Sequence, residues 1–599
     1  MERMYSIIFL IIFAGVYGSF VYLSKLDRAD RRALISRIGI PLLIMMAIFY
    51  YLFEYVKVSY GACIPTIVIA SMIGYTYPVL YYVTTKREGG MQSICSFPYD
   101  VITGIYMVSL LMILQVFFQS VITNTYVWAI MFAIVVILFL LPSIFLWMYY
   151  GMYRMVIDVP TMQTILYTNR REATEFINTC SFKQIVANMI GVVVICMCVI
   201  YVYVQLPQVR LAGNDWYILA PICIALIVLL FVGKKSYVKR TAFFKMLLHV
   251  VEFQKELAVY TQHHQEVVDK ASMTSPLQHE EFGTVIVVIG ESANRQYMHA
   301  FSNCERENTP WLTEESKGDN FILFKNAYAA FFETAKALEL ALTSANQYND
   351  EQYTEAISMI DLAKACGFET YWFSNQGIAG IHDTSTSVLA KSADVHRWSE
   401  EDYATQQYDI RLLEYMKQIP RTKKNKLIVL HLMGSHAPFS VRYPKEFSRW
   451  PVEIGEEFSQ NAYDNSLLFT DHVLEQVYTI GKEELNLQAM VYFSDHGSEI
   501  NQPRKPYFTS FNMVTIPLFV YLSDAYKQCY EETYHILRDH EDAYITNDLL
   551  YNLVAGILQV KGDVVCEEEN IASANYGYNR CNLRTDLGRR ALTDDDSRQ

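Results

Sequence analysis

The chain has no paired Cys-x-x-Cys of the zinc-ribbon kind, no internal repeat, no low-complexity tract and no surplus of basic residues. Its eleven cysteines are an odd count and fix no disulfide framework, although Cys566 and Cys581 form a candidate pair in an oxidising compartment. With 49 Lys and Arg against 62 Asp and Glu, the net charge is -13. No aromatic and basic stripe runs through the second half, so nucleic acid is set aside as a partner: phosphate backbones need basic surface.

Apolar residues make up 52% of the 599, and the excess is concentrated in the first two-fifths of the chain. Low-charge runs at 5–23, 40–55, 61–83, 102–122, 126–149, 185–206 and 217–232 approach the roughly 20 residues needed to cross about 30 Å of hydrocarbon. They predict a transmembrane domain of about seven helices over 1–233. The first run reads as an uncleaved anchor, because it lacks a small-residue cleavage site and further spans follow. A basic segment with Lys234, Lys235, Lys239, Arg240 and Lys245 opens a juxtamembrane amphipathic linker over 234–283. Anionic head groups attract each such cation by about 1 kcal/mol, so the segment is expected to dock the next domain on the bilayer; a solvated connecting helix is the alternative.

From residue 284 the pattern changes. Apolar runs at 284–289, 371–373, 427–432 and 489–493 alternate with helical patterns such as 361–366 and 464–477, predicting an α/β domain over 284–563 with a largely parallel, covered sheet. Residues 564–599, polar and carrying Asp594-Asp595-Asp596, are expected to be a weakly ordered tail. Each of the four runs ends in polar residues: Glu291-Ser292, Asn375-Gln376, Ser435-His436 and Asp495-His496. Strand C-termini open onto the ligand crevice of such sheets, so the four endings predict one site.

Glu291, Asp495 and His496 are two carboxylates and an imidazole, which suits a zinc-type ion with one coordination position open. The nucleophile is sought at Thr334, at the apparent start of a helix over 335–342. A Thr there is ordinarily a helix cap; a metal would be needed to make its hydroxyl reactive, and the positive helix end would hold a phosphate.

The ordered set Val287-Val288-Ile289-Gly290-Glu291-Ser292, Asn308-Thr309-Pro310, Glu333-Thr334-Ala335, Trp372-Phe373-Ser374-Asn375-Gln376, His431-Leu432-Met433-Gly434-Ser435-His436, Tyr463-Asp464-Asn465-Ser466 and Ser494-Asp495-His496-Gly497 resembles the motifs of bacterial phosphoethanolamine transferases. These are membrane enzymes of the alkaline phosphatase and sulfatase superfamily. The segment from Thr161-Met162 through Thr168-Asn169 to Glu172-Ala173-Thr174 also resembles a loop of that family. The resemblance implies an α-helical multi-pass membrane domain followed by an alkaline phosphatase-like (sulfatase-like) α/β domain in the periplasm, anchored in the cell inner membrane. It implies transfer of phosphoethanolamine from phosphatidylethanolamine to lipid A, a core sugar or another envelope glycan through a phospho-threonine. Thr334 is then the nucleophile; Glu291, Asp495, His496 and the Thr334 oxygen hold zinc. His436 acts as general acid or contacts the phosphoryl group or a second zinc, while Asn375 and Gln376 donate to phosphate.

Three departures from the family pattern stand out. Glu499 is displaced by one residue relative to an Asp-His-Gly-Glu pattern. Asn512 replaces a frequent histidine near the substrate, so one tight zinc and at most a loose second ion are expected. Two extra spans stand at the N-terminal end, and no Cys-x-Pro-x-Arg or Ser-x-Pro-x-Arg supplies a sulfatase nucleophile. Basic loops with Lys25, Arg28, Arg31, Arg32, Arg37, Lys86, Arg87, Arg154, Arg170 and Arg171 conflict with a periplasmic domain by charge bias; binding of anionic lipid phosphates by those loops reconciles the two. The protein is expected to act as a monomer. The alternatives are a phosphoglycerol transferase of the lipoteichoic acid synthase type and a non-catalytic, membrane-tethered lipid-binding pseudoenzyme.

Overall fold

The computed structural model describes residues 47, 50–52, 54–58, 60–87, 98–153, 156–157, 161–162, 165–166, 182–206, 215–236, 241–279, 281–302, 304–376, 385–399, 408–500 and 508–596. The chain divides into two compact units, one of 1–162 with 180–252 and one of 163–179 with 253–599.

The apolar runs of the first unit become helices α1 (Tyr60–Arg87), α2 (Pro98–Val121), α3 (Thr125–Tyr153), α4 (Phe182–Val204) and α5 (Trp216–Ser236). Among the described residues, Ile64–Tyr81, Thr125–Tyr153 and Val186–Val204 are long and apolar enough to cross a membrane, while Tyr106–Val121 and Tyr217–Val228 are shorter apolar stretches. The run at 5–23, most of that at 40–55, and most of the cations of the basic loops lie outside the described residues.

Helix contact here depends on small residues. A Cβ built on Gly74 would stand 2.8 Å from the Gly104 Cα, so α1 and α2 cross backbone to backbone. Inside the bundle the Thr66 hydroxyl donates to Gln115 Oε1 at 3.1 Å and lies 3.3 Å from the Tyr203 hydroxyl. Such pairing is what an apolar surround demands of buried polar atoms. Tyr203 also meets Phe132 edge to face at 4.7 Å. Met189, Ile190 and Met197 of α4, each more than half exposed, give that helix a surface suited to hydrocarbon. Helix α6 (Ala242–Lys270) follows the basic segment; its Phe243 ring packs on Phe145, and its first backbone amide is held by the Asp100 carboxylate at 3.1 Å. Lys239 and Arg240 lie outside the described residues.

The second unit is built on a seven-stranded sheet. Its strands are β1 (Thr284–Gly290), β2 (Phe321–Leu323), β3 (Glu369–Ser374), β4 (Val395–Trp398), β5 (Lys426–His431), β6 (Leu487–Ser494) and β7 (Leu518–Leu522), in spatial order β2-β7-β6-β1-β5-β3-β4. The five strands from β6 to β4 run parallel, and β7 is antiparallel to both its neighbours. All of β1, β5 and β6 is buried because both faces are covered. Val285, Val287 and Ile289 point into one core with α7 (Thr334–Ala341) and α8 (Met359–Ala365). Ile286 and Val288 point into another with the long α9 (Gln460–Glu484).

Two expectations need correction. Residues 564–596 are not a loose tail: Ile571, Leu583 and Leu592 are fully buried in the first of these cores. The polar composition hid them because widely spaced apolar anchors show no periodicity. Cys566 and Cys581 are both free and exposed, on separate turns held by Asn552 and Asn579.

Removing the Leu583 side chain with Leu583→Ala should therefore destabilise this unit by about 2–5 kcal/mol. Deleting 564–599 should leave no cooperative melting transition by calorimetry. An unchanged transition in the deletion would contradict the packing described here.

Candidate metal centre

In the register of the sheet Gly290 pairs with Ser494, and Ile289 pairs with His431 on the other side. Strands β1 and β6 therefore release their chains at the same level, and the Asp495 amide donates to the Gly290 carbonyl at 3.1 Å. Glu291, Asp495 and His496, all buried, offer ligand atoms within 4.8 Å of one another. The Thr334 hydroxyl, brought in by α7, donates to Glu291 Oε2 at 3.0 Å and lies 3.4 Å from His496 Nε2.

The spacing tests whether an ion fits. Ligands held at about 2.0–2.1 Å around a tetrahedral ion stand about 3.3 Å from one another. His496 Nε2 is 3.3 Å from Glu291 Oε1, 3.4 Å from Asp495 Oδ2 and 3.4 Å from the Thr334 hydroxyl, so the three edges that meet at His496 have that length. Asp495 Oδ2, fully buried, has no hydrogen-bond partner among the described residues, an unfavourable state that a cation would relieve. Burial, then the neighbouring Glu291 carboxylate, push Asp495 up to about 7. The donor set of two carboxylates, an imidazole and a hydroxyl suits zinc.

Helix α7 starts at Thr334, with Glu333 at the cap position. Thr334 is thus the first helical residue rather than a cap, and its hydroxyl is turned to the carboxylate.

Amides and hydroxyls orient these three candidate ligands. Gln376 Nε2 donates to Glu291 Oε2 at 3.0 Å and to the Leu432 carbonyl at 2.9 Å. The Ser292 hydroxyl donates to Glu291 Oε1 at 2.6 Å, its amide donates to Asp495 Oδ1 at 3.1 Å, and Ser292 itself sits at φ 58°. Asn547 donates to the Asp495 carbonyl at 2.8 Å, and His496 Nδ1 lies 2.7 Å from the Gly497 carbonyl, leaving Nε2 for an ion. Asn375 faces Asp409 at 2.7 Å, and Asp409 also accepts from the amides of Met433 and Gly434. In this arrangement Gln376 orients a ligand and Asn375 braces the neighbouring loop, so both amide donors are engaged within the protein.

That loop carries Gly434 and His436. Gly434, at φ 46°, must be glycine: a Cβ would stand 2.8 Å from the Glu291 carbonyl oxygen. The half-buried His436 receives Arg442 Nη2 at 3.3 Å on Nδ1. A guanidinium only donates, so Nδ1 accepts and the ring proton sits on Nε2. His431, at the end of β5, is buried, and that burial holds its imidazole down at about 4, neutral at physiological pH. The carbonyl of Asn512 accepts from Asn294 Nδ2 at 3.0 Å and lies against Gly497, where a Cβ would be 2.1 Å away. Position 512 thus adjoins the His496 turn. Asp409, Asn547 and Arg442 carried no signal in the sequence, since an isolated polar residue follows no period.

Residues 283–559 match the Sulfatase family model. Among curated proteins, phosphoethanolamine transferase EptC of Escherichia coli (strain K12) is 30% identical over 266 residues, covering 41% of this chain and 46% of that protein. Phosphoethanolamine transferase CptA of Salmonella typhimurium is 26% identical over 290 residues, covering 45% and 49%. The match thus spans about half the length of these curated relatives. Among solved structures, the integral membrane lipooligosaccharide phosphoethanolamine transferase A of Neisseria meningitidis aligns with a TM-score of 0.54 at 15% identity, covering 86% of this chain and 98% of that one. This likeness is one of fold: apolar helices followed by an alkaline phosphatase-like domain.

Gln376→Ala should lower zinc affinity about 10–100-fold in a chelator competition although no ligand is removed; wild-type affinity would assign Gln376 to the loop alone. A pH dependence follows as well. The unfolded chain releases the Asp495 proton near pH 4, whereas the folded metal-free protein keeps it to about 7. Between those values the folded state binds more protons, so metal-free stability falls as pH rises. Zinc needs the carboxylate ionised and should abolish that fall in melts at pH 5 and 7.5.

Proposed function

From a sulfatase-family domain at residues 283–559, we propose that this protein is a zinc-dependent phosphoethanolamine transferase whose nucleophile is Thr334. The observation that carries the reading is the Thr334 hydroxyl, 3.0 Å from the buried Glu291 at the start of a helix. The similarity of this domain to phosphoethanolamine transferases supports the choice of head group. The donor is phosphatidylethanolamine, and the acceptor is a hydroxyl or phosphate of lipid A, a core sugar or another envelope glycan. The domain works on the periplasmic side of the inner membrane.

Glu291, Asp495, His496 and the Thr334 oxygen would hold the zinc, which supplies Lewis-acid charge that favours ionisation of the hydroxyl. Thr334 Oγ1 attacks the donor phosphorus, the bond from phosphorus to the glycerol oxygen breaks, and phosphoethanolamine remains on Thr334. The backbone N–H groups at the start of α7 face the extra negative charge. The proton that Thr334 loses ends on the leaving diacylglycerol oxygen, which the Nε2–H of His436, placed there by Arg442, holds by a hydrogen bond. The acceptor oxygen then attacks phosphorus, the bond from phosphorus to Thr334 Oγ1 breaks, and the proton that the acceptor loses returns to Thr334.

Incubation with phosphatidylethanolamine vesicles should add the mass of one phosphoethanolamine to the wild type and none to Thr334→Ala. Thr334→Ser should retain slow turnover, since its hydroxyl still meets the ligand set. An active Ala variant would overturn the nucleophile. Arg442→Gln should lower kcat about 10–100-fold and move the His436 ring proton in 15N spectra; an unchanged tautomer would remove Arg442 from that role.

A further inference from the structure

The segment that turned out to be folded ends in a small antiparallel hairpin, β8 (Arg584–Thr585) with β9 (Arg590–Ala591), in which Arg584 pairs with Ala591 and Thr585 with Arg590. Its turn places Asp586, Leu587 and Gly588 at φ 54°, 54° and 80°. The hairpin is moored to the segment that leads into the nucleophile: the Leu587 amide donates to the Ala330 carbonyl at 3.1 Å, and the Thr585 hydroxyl to the Ala329 carbonyl at 2.6 Å. Two further ties fix its other end, from the Arg584 amide to the Tyr348 hydroxyl at 3.1 Å and from the Gly588 amide to Gln347 Oε1 at 2.7 Å.

This mooring holds three arginines at the surface. Arg584, Arg589 and Arg590 are all exposed, on a chain whose net charge is -13. The Arg590 guanidinium lies 5.3 Å over the Phe508 ring; Phe508 packs at 6.3 Å against Phe332, two residues before Thr334. Of the acids beside the hairpin, Asp595 accepts from the Tyr328 hydroxyl and Asp594 from the Ala591 amide, while Asp586 stands 3.8 Å from the exposed Arg589, a long surface pair worth little that a phosphate would displace. Arginine on a rigid support with a stacked guanidinium suits bidentate binding of a phosphate. A hairpin tied by its backbone to residues 329–330 keeps that charge in constant relation to Thr334.

We infer that this hairpin is the acceptor-docking element of the enzyme: Arg584, Arg589 and Arg590 hold the phosphate of a phosphorylated sugar acceptor while its nucleophilic oxygen reaches the phosphoethanolamine on Thr334. The inference rests on the transferase reading above and narrows its acceptor to the phosphate-bearing class. The hairpin takes no part in the bonds made or broken.

The full-length protein with vesicles of phosphatidylethanolamine and phosphatidylcholine tests it, with glucose 1-phosphate or glucose as acceptor probe. Released phosphoethanolamine is divided between acceptor and water, and that ratio is internal to each preparation. The wild type should favour glucose 1-phosphate over glucose. The triple variant R584Q/R589Q/R590Q should raise the KM for glucose 1-phosphate about 10–100-fold and lose the preference, and R590K should restore part of it. A variant that keeps the preference overturns the inference, as does an equal fall in transfer and hydrolysis, which would mean that the arginines dock the membrane surface. If the wild type turns over no phosphatidylethanolamine, the transferase reading fails instead. Binding of glucose 1-phosphate measured by calorimetry then decides the hairpin separately: loss of binding in the triple variant supports the phosphate site, and unchanged binding ends it.

Discussion

The parallel pairing of β1 with β6 carries the rest of the site. Because Gly290 lies opposite Ser494, the two strands end level and the next residues, Glu291 and Asp495, emerge side by side. A slip of one residue would turn one carboxylate to the opposite face and separate it from the other. The register is fixed by close packing on both faces of the sheet, where Val287, Ile289 and Val491 fill one core and Ile286, Val288 and Tyr492 the other. Backbone contact adds a second lock: Gly434 lets the loop after β5 lie directly on Glu291, and Gly497 lets the His496 turn lie on Asn512.

Such an arrangement is electrostatically unfavourable on its own. Two carboxylates are buried a few ångströms apart, and amides, hydroxyls and an imidazole among the described residues surround them. Neutral donors orient the oxygens without neutralising them, so the charge deficit stays available to a cation. Buried arginine is present close by, yet Arg295 is turned to the Ala327 carbonyl and the Tyr328 ring. Three exposed arginines, Arg584, Arg589 and Arg590, stand on the hairpin of residues 584–591.

The membrane unit follows a different rule. Hydrocarbon gives no hydrophobic incentive for helices to associate, so contact depends on backbone approach at Gly74 and Gly104 and on hydrogen bonds such as that of Thr66 with Gln115. These polar side chains leave the helices apolar enough to insert while giving them a defined partner. Where they are absent, as on the outward side of α4, the surface stays smooth and greasy.

Much of this was legible in the residues. Continuous runs of Val and Ile mark covered parallel strands because both faces are buried, and the polar residues that end them mark the crevice; Glu291, Asp495, His496 and Thr334 followed from that pattern and from the motifs. Helix α7 began within one residue of its expected start for the same reason, a local apolar period. What the sequence could not supply were relations between distant residues that share no period. Gln376 meets Glu291 only because β3 lies one strand beyond β5; Arg442 meets His436 only through the turn between them; Leu583 and Leu592 reach the core from a segment whose composition is polar. Local pattern determines which segments become strands and helices, since burial acts on each run separately. Which side chains then face each other was decided by strand order and by the packing of the folded chain.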